Sequence, residues 1–337
     1  MWRTEMERQL DKNAKGGQMS RHTKAEHGLS TVEMFKNADF REGVDLTEEQ
    51  LAQLQRLLLE ILQDMDSFCR EYHICYYLGG GSALGAVRHK GFIPWDDDAD
   101  VNMPRADYER FIEEFPRAMG EKYWLHTPEH THGHGLLLAR VRLKGTCVKT
   151  REDFFNNKEC GAFVDVFVVD NVPDNPFLRA LHGFGSLALG FLLSCRKFYR
   201  ERSQWQKLLS EENNCKNLRR AFRIKSTIGF FTAIFPIDWW VHWNHWWNGL
   251  CKNENSRCVT VPAGRKHYWG EMIPREEVFP VIVRPFEGSD FCTARTELYP
   301  KQLYGDYMKI PKKGKREKHL FFAPLILERK DAEKEKL

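Results

Sequence analysis

From Leu51 onward the apolar residues recur at helical spacing: Leu51, Leu54, Leu57, Leu58, Ile61, Leu62, Met65 and Phe68. Residues three and four apart share one face of an α-helix, so this run predicts an amphipathic helix ending near Tyr72. Thr47, with Gln50 three residues on, supplies a capping-box start. A short apolar strand at Cys75–Leu78 runs into Gly79-Gly80-Gly81-Ser82, where Ser82 is expected to cap a short helix through Val87. Asp98–Met103 alternates as a strand does, Ala106–Met119 has a helical period, and Leu136–Leu143 and Ala162–Val169 have β character. That order predicts an α/β or α+β sheet. Residues 176–250 turn helical, aromatic and basic and are expected to form a helical insertion. Residues 251–325 return to mixed structure, with strands near Cys258–Val261 and Val281–Pro285 and a helix at Thr296–Tyr304. The expected organisation is a flexible extension over 1–44, a sheet-and-helix core over 45–175, the insertion, a C-terminal part of the same domain, and a charged tail over 326–337.

Composition narrows the class only a little. The chain has 337 residues, 42% hydrophobic and 29% charged, with a net charge of +4. These are ordinary globular values, and an excess this mild gives no reason to expect a nucleic-acid partner. The nine cysteines form no C-x-x-C pair. Reduced thiols in a cytoplasmic protein are expected. The N-terminus is charged and predicts no secretory signal. Ala180–Cys195 is apolar but shorter than the ~18–20 residues that cross a bilayer, so it is expected to be a buried or interfacial helix.

The chemistry concentrates in Gly79–Arg105, which joins a glycine-rich turn, Arg88-His89-Lys90 and four aspartates. Carboxylates packed so densely repel one another unless they face water or hold a divalent cation. A cation beside glycine amides and cationic side chains suits a nucleotide's phosphates. The residues therefore predict metal-dependent phosphoryl or nucleotidyl transfer. On a strand, Asp98 and Asp100 would project the same way, Asp96 would share their parity, and Asp97 would be a spectator. Asp165, within GAFVDVFVVD, is the candidate third carboxylate from a neighbouring strand. An acid in so apolar a strand has either a partner or a function. Asp170 is expected in a turn or cap. The competing readings are a calcium loop, with Asp107 at its twelfth position but Val101 where the sharp-turn glycine belongs, a solvated acidic turn, and an ion-pair cluster with Arg88, Lys90 and Arg105.

The run Gly80-Gly81-Ser82-Ala83-Leu84-Gly85-Ala86-Val87-Arg88-His89-Lys90-Gly91-Phe92-Ile93-Pro94-Trp95-Asp96-Asp97-Asp98-Ala99-Asp100 closely resembles the LicD family, which includes the fukutin-related proteins. Met103-Pro104-Arg105-Ala106-Asp107-Tyr108, Val164-Asp165-Val166-Phe167, Phe286-Glu287-Gly288 and Leu303-Tyr304-Gly305-Asp306-Tyr307-Met308 extend the resemblance over about residues 48–320. It implies an α+β, nucleotidyltransferase-like mixed sheet flanked by helices. It also implies transfer of a phosphorylated alcohol, phosphocholine from CDP-choline or a similar CDP-alcohol such as a ribitol donor, to a glycan. By this resemblance Asp98 and Asp100 bind Mg²⁺ (or Mn²⁺), Asp165 completes the catalytic centre, and Asp96 assists. Gly80, Gly81 and Ser82 hold donor phosphate, with Arg88, His89 and Lys90 nearby. A nucleotidyltransferase that attaches the nucleotide itself, and a non-catalytic glycan-binding or membrane protein, are the alternatives.

Three further features carry weaker signals. Trp239, Trp240, Trp243, Trp246 and Trp247 fall on one helical face and are expected to pack on the core. The other readings are an interfacial anchor, which would give peripheral membrane contact through 176–250 for a lipid-linked acceptor at the inner face of the membrane, and an aromatic cage for choline. His126, His130, His132 and His134 lack regular zinc spacing. Lys312, Lys313, Lys315, Arg316 and Lys318 read as a solvated basic face.

Overall fold

A computed structural model describes residues 44–150, 153, 159–211, 216–312, 316, 319 and 321–328. Residues 1–43 of the expected 1–44 extension, the tail beyond Glu328, and Lys313, Lys315 and Lys318 of the basic run lie outside the described residues. The first helix, α1 (Glu48–Glu71), starts as the capping box requires: Gln50 N–H donates to Thr47 Oγ1 at 3.2 Å, and Gln50 Oε1 accepts from Thr47 N–H at 3.0 Å. It buries Leu54, Leu58, Ile61, Leu62, Met65 and Phe68. Each such side chain contributes roughly 1.5–3 kcal/mol on leaving water. That one-sided burial fixes α1 against the sheet.

The main sheet runs β1 (Tyr77–Leu78), β2 (Asp100–Pro104), β6 (Phe163–Val172), β4 (Ala139–Leu143), β3 (Tyr123–His126). β7 (Cys258–Thr260) pairs with the far end of β6 and with β8 (Ile273–Pro274). Only β2 and β6 are parallel, so the sheet is mixed. Helices α1, α2 (Gly80–Arg88) and α3 (Arg105–Met119) flank it, which makes the fold α+β. β5 (Cys147–Thr150) pairs with the last strand, β11 (Phe321–Ile326). β9 (Ile282–Phe286) and β10 (Ser289–Thr293) form a hairpin, followed by α10 (Leu298–Tyr304). Short helices α8 (His267–Gly270) and α9 (Arg275–Val278) bracket β8.

Between β6 and β7 stand four helices: α4 (Pro176–Arg200), α5 (Arg202–Glu211), α6 (Lys216–Thr232) and α7 (Ile237–Asn248). Their apolar contacts form two clusters of their own. Leu189, Leu193, Trp240 and Val241 join α4 to α7, and Phe198, Trp205, Leu218 and Phe222 join α4, α5 and α6.

Several local expectations need correction. Ser82 does not cap: Gly79 is the N-cap and Ser82 lies inside the first turn of α2. β2 starts at Asp100, so Asp96 and Asp98 precede the strand and strand parity does not govern them. Asp170 is not in a turn but within the ten-residue β6, paired to Arg105. Asp107 stands apart from the aspartate run and accepts Cys75 N–H at 3.0 Å, which removes the calcium-loop reading. Helix α4 extends past the apolar stretch at both ends, and at 25 residues it is long and apolar enough to cross a membrane.

Candidate functional site

The parallel pairing of β2 with β6 sets Asp100 opposite Asp165, and the pairing of β6 with β4 sets Asp165 opposite Arg140. Three charged side chains thus line up across three adjacent strands. Arg140 grips Asp165 with two hydrogen bonds, Nε to Oδ1 at 2.7 Å and Nη2 to Oδ2 at 3.2 Å, and its guanidinium covers the Phe163 ring at 4.1 Å. The partner that a carboxylate in this apolar strand required is therefore Arg140. Sequence reading missed it, although Arg140 and Arg142 in the strand ARVRL are themselves a signal, since a buried cation needs an anion.

Above this row the glycine turn meets the aspartates. A methyl group built on Gly80 would collide with Asp100 Oδ2, and one built on Gly81 with Asp96 Oδ2. Only glycine lets backbone and carboxylates approach so closely, and Gly80 also has a φ of 42°. Gly79 N–H donates to Asp100 O at 2.8 Å, and Asp100 N–H donates to Ser82 Oγ at 3.0 Å. Ser82, expected to hold phosphate, here accepts from the backbone of Asp100 and is buried. Gly80 N–H donates to the Tyr299 hydroxyl at 3.3 Å, and that oxygen also accepts from Asn102 at 3.0 Å.

The electrostatics follow from this crowding. Burial, then the neighbouring Asp98 and Asp97, push the Asp96 carboxyl well above the usual range. Burial, then Asp98 and Asp165, do the same to Asp100. Burial raises Asp98 as well, opposed by His319. Carboxyls pushed upward by burial and by one another mark a site where a cation would relieve the repulsion. All the carboxylate donors are hard oxygens, which suits a hard divalent ion.

Asp97 corrects the spectator expectation. Buried, it accepts His319 N–H at 3.0 Å through Oδ2, and its Oδ1 lies 2.7 Å from His319 Nδ1. His319 Nε2 lies 3.6 Å from Asp98. Desolvation works against a charge on His319, whose side chain is half exposed, but Asp98 and Asp97 outweigh it and lift the imidazole well above its ordinary value. Asp97, Asp98 and His319 are the group whose metal-donor atoms lie within 4.8 Å of one another among the described residues. It shares only Asp98 with the expected set of Asp98, Asp100 and Asp165. Nothing in the sequence around His319 marked it.

The cationic triplet is divided. Arg88 donates through Nη1 to the Tyr307 carbonyl and through Nε to His89 Nδ1 at 3.3 Å, so part of its fork anchors the C-terminal Y-G-D-Y-M segment. Burial, then Arg88, lower the His89 pKa, and its ring meets Trp95 edge-on at 6.4 Å. Lys90 is exposed at a φ of 58°, and its carbonyl accepts Glu287 N–H at 3.0 Å. Glu287 in turn accepts Phe92 N–H at 2.9 Å, so the F-E-G hairpin turn braces the loop that leads to the aspartates. Arg316 is not in a solvated run, because its guanidinium lies 3.9 Å from the centre of the Trp95 ring.

Residues 73–174 match the family described as LicD/FKTN/FKRP, nucleotidyltransferase domain. Over this span the chain is similar to LicD-family domains. The matched span holds the glycine turn, the aspartates, Arg140 and Asp165. The lipopolysaccharide cholinephosphotransferase LicD of Haemophilus influenzae is 29% identical over 286 residues, which is 80% of this chain and 95% of that protein. An uncharacterized protein of Rickettsia prowazekii is 26% identical over 126 residues, 36% of this chain and 41% of its own. The similarity to the Haemophilus protein runs far beyond the LicD domain core, so the likeness is not confined to one motif.

The remaining histidines of interest each have their own partner. His126 pairs with Glu159 at 2.6 Å, His130 with Glu113 at 3.2 Å and His132 with Asp238 at 2.6 Å, while His134 Nε2 donates to Leu138 O at 2.8 Å. Of the tryptophans, Trp240 is buried against α4 and Trp247 packs beside His182, but Trp239, Trp243 and Trp246 are exposed. Trp240 and Trp247 thus pack against α4 of the insertion itself rather than on the catalytic core.

Proposed function

We propose that this protein transfers phosphocholine, or a similar phospho-alcohol, from a CDP-linked donor to a hydroxyl of a cell-surface glycan precursor and releases CMP. The observation that carries this reading is the meeting of the Gly80-Gly81 turn with Asp96 and Asp100, with Asp98 beside Asp96 and Asp165 on the adjoining strand. The name of the Haemophilus relative supplies the choline and the lipopolysaccharide-type acceptor. Mg²⁺ (or Mn²⁺), held by Asp98, Asp100 and Asp165 with Asp96 alongside, would neutralise charge on the donor diphosphate and the leaving oxygen.

The chain's own groups do the rest. The start of α2 turns amides toward the diphosphate, while Arg88, His89 and Lys90 add positive or donor groups at its rim. In the transfer, the acceptor oxygen bonds to the phosphorus that carries choline, the P–O bond to CMP breaks, and the hydroxyl proton leaves to a carboxylate or water. Both Asp165 oxygens already accept from Arg140, so Asp165 has lone pairs left for only one or two further partners. Arg140 thereby fixes its orientation. The reading assigns catalysis to 45–175 and 251–325, with 176–250 as an insertion that gives peripheral membrane contact for a lipid-linked acceptor. A cytoplasmic location at the inner face of a membrane goes with it.

Asp98→Asn and Asp100→Asn are each expected to lower kcat by about 100-fold or more, by removing charge from the phosphate-facing cluster. The measurement is CDP-choline turnover with Mg²⁺, following CMP and the product mass, with circular dichroism to confirm folding. Release of pyrophosphate instead of CMP would assign nucleotidyl transfer. Undiminished turnover in both variants would refute the carboxylate assignment.

A further inference from the structure

Helix α4 has two unlike faces. Only 28% of its most apolar window is buried, and Phe177, Leu181 and Phe184 stand exposed along it. The opposite face is built into the protein by polar contacts. His182 Nε2 donates to Trp247 O at 2.8 Å, and its Nδ1 lies 3.0 Å from the Tyr268 hydroxyl. Trp247 Nε1 donates back to His182 O at 2.9 Å, and Lys225 Nζ donates to Ser194 Oγ at 3.0 Å. A spanning α4 would have to leave these partners or draw α6, α7 and α8 in with it, and each polar group left unpaired in hydrocarbon costs several kcal/mol. Length and composition alone would allow crossing, but this packing opposes it.

The exposed stripe of α4 continues onto α7. The two helices run antiparallel, with Trp247 against Gly185 and Asn244 against Gly190. Trp239, Trp243 and Trp246 repeat on α7 the spacing of Phe177, Leu181 and Phe184 on α4. Each stripe lies on the same rotational side of its own seam residues, and in antiparallel helices that turns both stripes the same way. The α6–α7 turn extends the surface with Phe231, Ile234 and Phe235, the last stacked on Trp239 at 4.2 Å. So many exposed aromatic and aliphatic side chains on one flank exceed the scattered apolar residues of an ordinary surface.

Charge says what covers this flank. Residues 176–250 hold eleven Lys and Arg against four Asp and Glu, a net of +7, while the whole chain is only +4. The rest of the molecule is therefore net negative by 3, and the positive charge is concentrated in the segment that carries the exposed aromatics. On α6, Arg220 and Arg223 are exposed, as are Ile224 and Phe231 of the same helix. Tryptophan and phenylalanine beside arginine suit the headgroup level of a bilayer that carries negative lipid.

We propose that the outer flank of α4, α6 and α7 is a membrane-docking surface that lies in the plane of an anionic bilayer without crossing it. This deepens the membrane contact proposed above, and its test reads lipid binding rather than transfer, so it can fail while the transferase reading stands. The full chain is floated with vesicles of phosphatidylcholine alone and of phosphatidylcholine containing phosphatidylglycerol. Binding to the anionic vesicles is expected to be at least ~10-fold stronger, to weaken with salt, and to shift tryptophan emission to the blue. Phe231→Ser with Trp243→Ser, and separately Arg220→Glu with Arg223→Glu, change only exposed side chains and are each expected to weaken it by about 10-fold or more. Four outcomes would overturn the proposal. They are no flotation with either vesicle, flotation unaffected by both pairs of substitutions, a self-associating chain that Phe231→Ser with Trp243→Ser makes monomeric, and membrane-bound chain that resists alkaline extraction as a spanning helix does.

Discussion

Glu271 shows at one residue how burial sets a protonation state without any catalytic role. It lies just after α8, is 3% exposed, and accepts Lys266 N–H at 3.0 Å. Burial pushes its carboxyl up to about 7, against the opposing pull of the Lys266 amide and ammonium. An unfolded glutamate ionises near pH 4.5, so the folded state holds a proton that the unfolded state has already lost. The contribution of Glu271 to stability is therefore fullest below about pH 4.5, declines as pH rises toward 7, and is flat above it. The loss amounts to roughly 3 kcal/mol. A glutamine side chain at this position could still accept the Lys266 amide without ever ionising. Glu271→Gln is therefore expected to match the natural chain at about pH 5 and to exceed it by roughly 2–3 kcal/mol at about pH 8. Urea unfolding at the two pH values checks this, and equal differences at both would refute it.

Among the elements, α2 and the loop it begins carry the site, and their packing is unforgiving. Gly85 sits in mid-helix, where alanine would ordinarily be preferred by about 1 kcal/mol. A methyl group there would collide with the Gly91 carbonyl and meet the Phe286 ring at 3.4 Å. Gly85→Ala is therefore expected to destabilise by roughly 1–3 kcal/mol despite its better propensity, read as a lower midpoint in urea. A raised midpoint would mean that α2 can shift away from Gly91. This element also shows where sequence reading succeeds and stops. Helix α1 was legible because a capping box and a 3.6-residue period are local signals, and Asp100 opposite Asp165 was legible because both lie on apolar strands. Asp97 was misjudged because the strand begins only at Asp100, so alternation says nothing about the three residues before Ala99. His319 was invisible because its bond to Asp97 joins positions 222 residues apart, and no periodicity reports such a contact. The arginines were half legible: Arg88 was expected at phosphate, but whether its fork is free depends on where the Tyr307 carbonyl falls.

For the whole molecule the question is how the helical insertion is held to the sheet. The joint is polar and buried. Arg105, at the start of α3, grips both oxygens of Asp170 on β6, with Nη2 to Oδ2 at 2.9 Å, and its Nη1 lies 2.6 Å from His245 on α7. His245 pairs with Glu129 at 2.8 Å, and Glu129 also accepts from the Tyr108 hydroxyl at 3.0 Å. Burial alone would raise Glu129, but His245 and the hydrogen bonds outweigh it and hold the carboxyl at about 2. Its contribution is therefore full above about pH 4.5 and is lost as pH falls toward 2. A network of this kind stabilises only while complete, because removing one member strands a buried charge. Arg105→Met alone leaves Asp170, 2% exposed, without its cation and is expected to cost roughly 3–5 kcal/mol. Arg105→Met with Asp170→Leu removes both charges and fills similar volume, so most of that loss should be recovered. Thermal unfolding of the two variants beside the natural chain measures the difference. A double variant no more stable than the single one would refute the assignment of that loss to the stranded Asp170 charge.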